Sequence, residues 1–151
     1  MAKYANGTNY AKSIDPSGAN IVNPGILGGK VRVMEDYYTF GADSLNSSDY
    51  IIVGTKLPTG SQVVDIWLTA GSPLVTESAT FVVGDEGDPN RYVTSTILTA
   101  GAMAIGINDA STGLQYTITG VTDNYIRVAG ADDAAVVSGA AIKISIFYVV
   151  E

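Results

Sequence analysis

The sequence predicts an all-β fold: an antiparallel β-sandwich, jelly-roll-like, with an extended N-terminal arm. After residue 29, short runs of β-type residues follow one another, and each run ends at Gly, Asn, Asp, Ser or Pro. No stretch shows the apolar period of a long helix. Many short strands separated by turn residues indicate a sandwich or a barrel, and about eight strands are typical of a jelly roll.

The first three runs are each short enough for a single strand. In the first, at about 30–40, apolar and charged residues alternate, as they do in a half-buried strand. The second is the short apolar run 50–53, and the third covers 62–70. Alternate residues of a strand point to opposite faces. The alternating apolar residues of the first run are Val31, Val33 and Tyr37; in the third run, Val64, Ile66 and Leu68 are predicted to face opposite to Asp65, Trp67 and Thr69.

The middle of the chain continues the pattern with one ambiguous stretch. Residues 79–83 and 91–98 are predicted strands on either side of an acidic turn. Residues 99–106 fit either a strand or one helical turn, since short apolar runs do not distinguish the two. Residues 114–119 alternate again and predict another strand.

Two further runs complete the predicted sandwich. Residues 125–129 form a short alternating run, and residues 141–150 form a long run that is almost wholly apolar. A strand of that composition is expected to lie at the centre of a sheet, or to be buried on both faces near its end. The predicted core residues are Ile66, Leu68, Phe81, Tyr116, Ile118, Ile126, Val128, Ile144 and Ile146.

The predicted domain division is an N-terminal arm at 1–28 and a β-sandwich domain at 29–151. The arm is rich in Gly, Pro and Asn turn signals, and chain termini are often disordered. Apolar residues nevertheless recur along it, which indicates an extended arm that docks on its own domain or on a neighbour. We expect the arm to contact another subunit or another partner protein. The residues predicted to form this partner interface are Tyr4, Tyr10, Ile14, Ile21, Val22, Ile26 and Leu27.

Composition excludes several classes of function. The chain has 15% charged residues and a net charge of −7, and its eight Lys and Arg are scattered. Nucleic acids and anionic membranes attract clusters of basic residues, so neither is an expected partner. The absence of His and Cys removes the usual catalytic bases and thiolate ligands. We expect no enzymatic activity and no catalytic, cofactor-binding or metal-binding residues.

Two motifs offer weak alternatives to this expectation. Residues 25–31, GILGGKV, resemble a phosphate loop, but the spacing and the hydroxyl residue that binds Mg²⁺ do not match. The acidic turn carries the oxygen ligands that Ca²⁺ prefers, at Asp85, Glu86, Asp88 and Asn90. The same residue types also favour ordinary turns. A third interpretation is that Asp85 or Asp88 pairs with Arg91 to fix the turn.

Several turns and strands resemble those of small virion proteins of tailed bacteriophages. The similar segments are GGKVRV at 28–33, GTKLPTGS at 54–61, the acidic turn GDEGDPNRY at 84–92, and the final strand ending in FYVV at 147–150. The resemblance spans most of residues 28–150. It implies a structural component of the phage particle, and it implies no catalytic residues.

Two functions follow as expectations. The first is a capsid decoration or cement protein that binds and stabilises the head shell through the major capsid protein or other virion proteins. The second is a carbohydrate- or receptor-binding β-sandwich of a phage fibre or spike. In either case we expect a homo-oligomer, for which a trimer would suit local threefold positions. The protein is expected in the virion, after synthesis in the host bacterial cytoplasm.

Overall fold

A computed structural model of the protein describes residues 4–6, 31–41, 49–71, 79–98, 103–105, 113, 116–131 and 138–150. All regular secondary structure in these residues is β-strand, as the sequence predicts. The strands are β1 (Tyr4–Asn6), β2 (Arg32–Thr39), β3 (Tyr50–Val53), β4 (Ser61–Ala70), β5 (Ala79–Gly84), β6 (Val93–Leu98), β7 (Met103–Ile105), β8 (Ile126–Gly130) and β9 (Ala141–Val150).

The strands form two sheets with a nested order. One sheet has the order β1-β3-β8-β5-β6 and the other β2-β9-β4-β7. The antiparallel pairs β5–β6, β4–β7, β3–β8 and β2–β9 enclose one another along the chain, and successive pairs alternate between the two sheets. This arrangement is the one that a jelly roll requires. The predicted jelly-roll-like sandwich is therefore confirmed.

The core lies between the two sheets. Phe81 and Ile126 from the first sheet and Ile66 and Ile146 from the second are fully buried in one apolar cluster. Of the nine predicted core residues, eight are fully buried in this cluster. The remaining one, Tyr116, is half-buried and packs against the cluster, because its hydroxyl reaches a polar partner outside it.

The face of β2 that meets the core differs from the apolar alternation of its sequence. Met34 and Asp36 are buried, whereas Val33 and Tyr37 are each 53% exposed. Burial of Asp36 is tolerated because its carboxylate accepts hydrogen bonds from the backbone N–H of Gly54 (2.7 Å) and of Tyr37 (2.8 Å). A buried carboxylate that receives such bonds avoids most of the cost of desolvation. The charged residue thus ties β2 to the end of β3.

Strand β4 contains a β-bulge that changes which residues face inward. Its register with β9 shifts between Val63 and Asp65. As a result Val63 is buried and Val64 is exposed, while Ile66 and Leu68 keep their predicted inward positions. A bulge adds one residue to one strand, so the alternation before it is displaced by one position. The predicted inward position of Val64 is therefore wrong.

The last strand occupies the predicted central position. β9 pairs with β2 on one side and with β4 on the other. Ile142, Ile144 and Ile146 are all at most 1% exposed. The described part of the predicted strand 114–119 makes one isolated bridge, Gln62 to Thr117, and runs beside the start of β4 through a hydrogen bond from the Ile118 N–H to the Ser61 carbonyl (2.8 Å).

The described part of the N-terminal segment, residues 4–6, forms a short strand. β1 pairs in parallel with β3, with Tyr4 opposite Tyr50 and Asn6 opposite Ile52. This part of the predicted arm therefore lies on its own domain. In the described part of the chain, no helix is long and apolar enough to span a membrane.

Truncation of Ile144 tests the assignment of the core. Ile144→Ala removes a fully buried side chain between β2 and β4 and is expected to lower the free energy of unfolding by about 2–5 kcal/mol. The matched control is Val121→Ala, because Val121 is 80% exposed and should change stability by less than about 0.5 kcal/mol. Urea unfolding at neutral pH measures both. Equal values for the two variants would contradict the position of β9.

Candidate interaction surface

The outer face of the four-stranded sheet β2-β9-β4-β7 carries most of the exposed apolar side chains. In the part of the chain that the structure describes, six large apolar residues are exposed, and five of them lie on or beside β2 and β4. Scattered single apolar residues are normal on a surface, but a cluster marks an interaction site. The five residues are Val31, Val33, Tyr37, Val64 and Trp67.

The strand register brings these side chains together across β9. Phe147 lies between Val33 on β2 and Asp65 on β4. The rings of Phe147 and Trp67 are 4.6 Å apart, centroid to centroid, at a tilted angle, a spacing that is favourable for aromatic pairs. The indole N–H of Trp67 donates to Asp65 Oδ2 at 2.7 Å. This bond fixes the orientation of the indole while 38% of the residue stays exposed.

A compensated charge pair lies within the same face. Lys143 Nζ is 2.7 Å from Glu35 Oε1, which also accepts a hydrogen bond from Ser145 Oγ at 3.0 Å. The bond from Lys143, followed by the bond from Ser145, holds the pKa of Glu35 below its usual range. Exposed pairs of this kind add little to stability. Their effect here is to leave the face nearly neutral, with apolar and aromatic groups next to hydrogen-bonding groups.

Sequence reasoning identified part of this face. It predicted that Trp67 lies on the side of β4 opposite Ile66 and Leu68. The exposure of Trp67 shows that no second layer from the described residues covers it. The alternation of Val31, Val33 and Tyr37 indicated a half-buried strand whose apolar side faces inward, so reasoning from the sequence missed them as surface residues.

The acidic turn after β5 is held by a buried carboxylate. Asp85 is fully buried. Its Oδ1 accepts hydrogen bonds from the N–H groups of Gly87 (2.8 Å) and Asp88 (2.9 Å), and both of its oxygens contact the Arg91 guanidinium. The predicted pairing of Asp85 with Arg91 is thus confirmed. Burial is the largest single effect and lowers the pKa of Arg91, but the hydrogen bond to Asp85 and the nearby charge of that carboxylate, with smaller effects of Tyr116 and Tyr92, together raise it above its usual value.

The same arginine connects the turn to the loop before β8. The Arg91 guanidinium lies 3.7 Å above the ring of Tyr116, whose hydroxyl donates to Asp123 Oδ2 at 2.7 Å. Asp123 also accepts bonds from the N–H and hydroxyl of Thr119 and from the N–H of Gly120. Burial alone would raise the pKa of Asp123, but these hydrogen bonds hold it well below its usual range.

Two tyrosines at these loops, Tyr116 and the neighbouring Tyr92, are held in their neutral form. The hydrogen bond to Asp123, assisted by burial, raises the pKa of Tyr116. Burial, followed by the nearby charge of Asp85, raises the pKa of Tyr92 strongly. We call the network of Asp85, Arg91, Tyr116 and Asp123 the buried charge cluster. Its groups are engaged with one another, which is the arrangement of a structural crosslink between loops.

The calcium alternative finds little support in this geometry. The Asp85 oxygens are occupied by two backbone N–H groups and a guanidinium, and Glu86 forms an ion pair with Arg127 at 3.2 Å. Among the described residues, no three acidic, His or Cys side chains are grouped so that they could hold a metal ion.

The residues predicted for the partner interface lie mostly outside the described residues. Tyr4 is on β1, at the edge of the five-stranded sheet. The predicted interface therefore stays a prediction. The members outside the described residues are Tyr10, Ile14, Ile21, Val22, Ile26 and Leu27.

Comparison with solved structures finds chains of phage capsids among the similar proteins. One chain of the cyanophage Pam1 capsid asymmetric unit is 27% identical, with a TM-score of 0.61, over 91% of this chain and 97% of that chain. A chain of the Ralstonia phage GP4 capsid is 19% identical, with a TM-score of 0.68, over 100% of this chain and 99% of that chain. A chain of the acid-stable capsid of Helicobacter pylori bacteriophage KHP30 is 16% identical, with a TM-score of 0.53, over 82% of this chain and 90% of that chain.

No protein-family model matches the chain, and no curated protein matches it. The GP4 and KHP30 chains show a shared fold, and the Pam1 chain adds similarity of sequence. Together they support a phage structural protein, in agreement with the structural component that the sequence resemblance implied.

Removal of the Asp85 carboxylate tests the buried charge cluster as a structural crosslink. Asp85→Ala leaves the mostly buried Arg91 without its carboxylate and is expected to cost about 3–5 kcal/mol. Glu86→Ala is the matched control, because Glu86 is the adjacent acidic residue and its side chain is 58% exposed. Its loss should cost no more than about 1 kcal/mol. Urea unfolding that ranks the two variants in the opposite order would contradict this assignment.

The stability of the protein should depend on the ionisation of Asp123. Because the pKa of Asp123 is lowered in the folded state, its contribution is complete above the unfolded value of about 3.9 and is lost as pH falls below it. Asp123→Asn should therefore lower stability at pH 7 and flatten the decline between about pH 4 and pH 2. Unfolding curves at several pH values measure both effects. An equally steep decline in the variant would show that Asp123 is not the responsible group.

Proposed function

We propose that this protein is a capsid decoration protein of a tailed phage, which binds the head shell and stabilises it. The observation that carries the proposal is the similarity to phage capsid chains over nearly their whole length. A match of that extent includes both sheets and is not confined to one small motif. The protein would then reside in the virion, after synthesis in the host cytoplasm.

The outer face of the four-stranded sheet is the proposed contact with the shell. Val33, Tyr37 and Trp67 present apolar and aromatic area there, and the Glu35–Lys143 pair is already neutralised. Burial of apolar area contributes about 25 cal/mol per Å², and aromatic side chains are enriched where proteins meet. The proposed partner on the shell is the major capsid protein, and the proposed state on the particle is a symmetric homo-oligomer such as a trimer.

A structural role, as opposed to an enzymatic one, also agrees with the chemistry of the chain. The sequence has no His and no Cys. The buried charge cluster has its polar groups engaged with one another. We therefore propose that the protein works by binding and not by catalysis.

Carbohydrate or receptor binding is the second candidate, and one observation favours it. Tyr37 and Trp67 are exposed on the same face, next to the carboxylates of Glu35 and Asp65. Aromatic rings beside hydrogen-bonding groups also suit sugars. Particle composition separates the two functions: many copies spread over the head support decoration, and a few copies at a fibre tip support receptor binding.

A pair of valine variants tests the proposed shell contact. Val33→Lys places a charge on the outer face and is expected to lower affinity for undecorated heads at least about tenfold, which corresponds to about 1.4 kcal/mol. Val121→Lys is the matched control, because it makes the same change at an exposed valine outside this sheet. Co-sedimentation with heads measures binding, and thermal unfolding confirms that both variants fold. Equal binding by the two variants would exclude this face as the contact, and absence of the protein from purified particles would contradict decoration itself.

A further inference from the structure

The first strand is an addition to an otherwise complete fold. Strands β2 to β9 form four nested antiparallel pairs, and each of these pairs is intact without β1. β1 instead extends the five-stranded sheet at its edge, through a parallel pairing with β3. A parallel pair cannot be closed by a tight hairpin and needs a long connection.

The connection from β1 to β2 is much longer than the distance requires. About 25 residues separate Asn6 from Arg32, and a chain of that length reaches up to about 80 Å. The sheets of a sandwich lie about 10 Å apart, and β2 contacts the end of β3 through the Asp36–Gly54 hydrogen bond. The covalent chain therefore allows β1 to reach a neighbouring molecule as easily as its own domain.

The receiving edge also lacks the features that normally prevent pairing between copies. Natural edge strands are protected by charged side chains, prolines or bulges. β3 reads Tyr-Ile-Ile-Val and β1 reads Tyr-Ala-Asn, so neither strand contains a charge or a proline. The register Tyr4–Tyr50, Ala5–Ile51 and Asn6–Ile52 can form equally well between two copies.

We propose that β1 is exchanged between copies of this chain on the particle, where β1 of one copy adds to β3 of its neighbour. The inference rests on the proposed function, because a decorated shell holds many copies side by side. Pairing within one chain and between chains uses the same hydrogen bonds, so local concentration decides between them. Reciprocal exchange around a symmetric oligomer would link its subunits without any new interface. The partner is therefore a second copy of this chain.

Site-directed crosslinking tests the exchange in the full-length protein. The chain has no Cys, so Asn6→Cys and Ile52→Cys introduce unique thiols at paired positions. Particles and concentrated protein are each prepared from a mixture of the two single variants, one of them isotopically labelled, and are treated with a short bismaleimide. The control mixture combines Ile52→Cys with Arg127→Cys, whose positions pair between β3 and β8 inside the nested fold.

Exchange predicts a heterodimer yield at least about tenfold above the control mixture, in keeping with the raised effective concentration of a paired strand. The double variant Asn6→Cys with Ile52→Cys reports pairing within one chain. If it crosslinks only internally, and the mixed variants match the control in particles and in solution, the exchange is wrong. If it does not crosslink at all, the pairing of β1 with β3 is wrong. If the protein is absent from particles but the concentrated mixture still exceeds the control, decoration fails and the exchange stands.

Discussion

The pairing of β9 with both β2 and β4 is the constraint on which the rest of the sandwich depends. β9 contributes Ile142, Ile144 and Ile146 to the core and fixes the register of both neighbours. β9 is distant in sequence from β2 and β4, so the four-stranded sheet is built from non-local strand pairs. Contacts between such distant segments make folding slow, since their loop entropy is lost before they stabilise the structure. The bulge in β4 beside β9 then determines which of its valines reaches the core.

Charged groups fix the turn between β5 and β6 and the loop before β8, which lie beyond the paired parts of the strands. Asp85 organises the turn between β5 and β6, and Arg91 carries the connection to Tyr116 and Asp123. Breaking one member of such a buried network leaves another without its partner, which costs far more than loss of an exposed ion pair. Although the chain has few charged residues, several of them lie in the buried charge cluster, where each one contacts several partners.

The sequence predicted most of the strands and most of the core positions, and its errors lie at particular residues. The central position of β9 follows from its length and apolar content, which are typical of a strand that pairs on both sides. The face of β2 could not be predicted in the same way, because the buried Asp36 is stabilised by a hydrogen bond that it accepts from the N–H of Gly54, a residue distant in sequence. Val64 was misplaced because a bulge carries no strong local signal. The pairing of Asp85 with Arg91 was accessible as one of several alternatives, whereas the link from Tyr116 to Asp123 depends on a loop conformation that periodicity does not encode.

The low charge of the chain agrees with the two contact surfaces proposed above, the outer face of the four-stranded sheet and the edge of β3. The outer face of the four-stranded sheet is broad, apolar and nearly neutral, and it suits a flat partner. The edge of β3, to which β1 adds in the structure, is narrow and pairs through backbone groups. These surfaces belong to different sheets, so the proposed contact with a shell and the proposed exchange of β1 do not compete for the same residues. A charged surface would favour solubility of the free chain, but it would weaken both proposed contacts, because each would bury its area against protein.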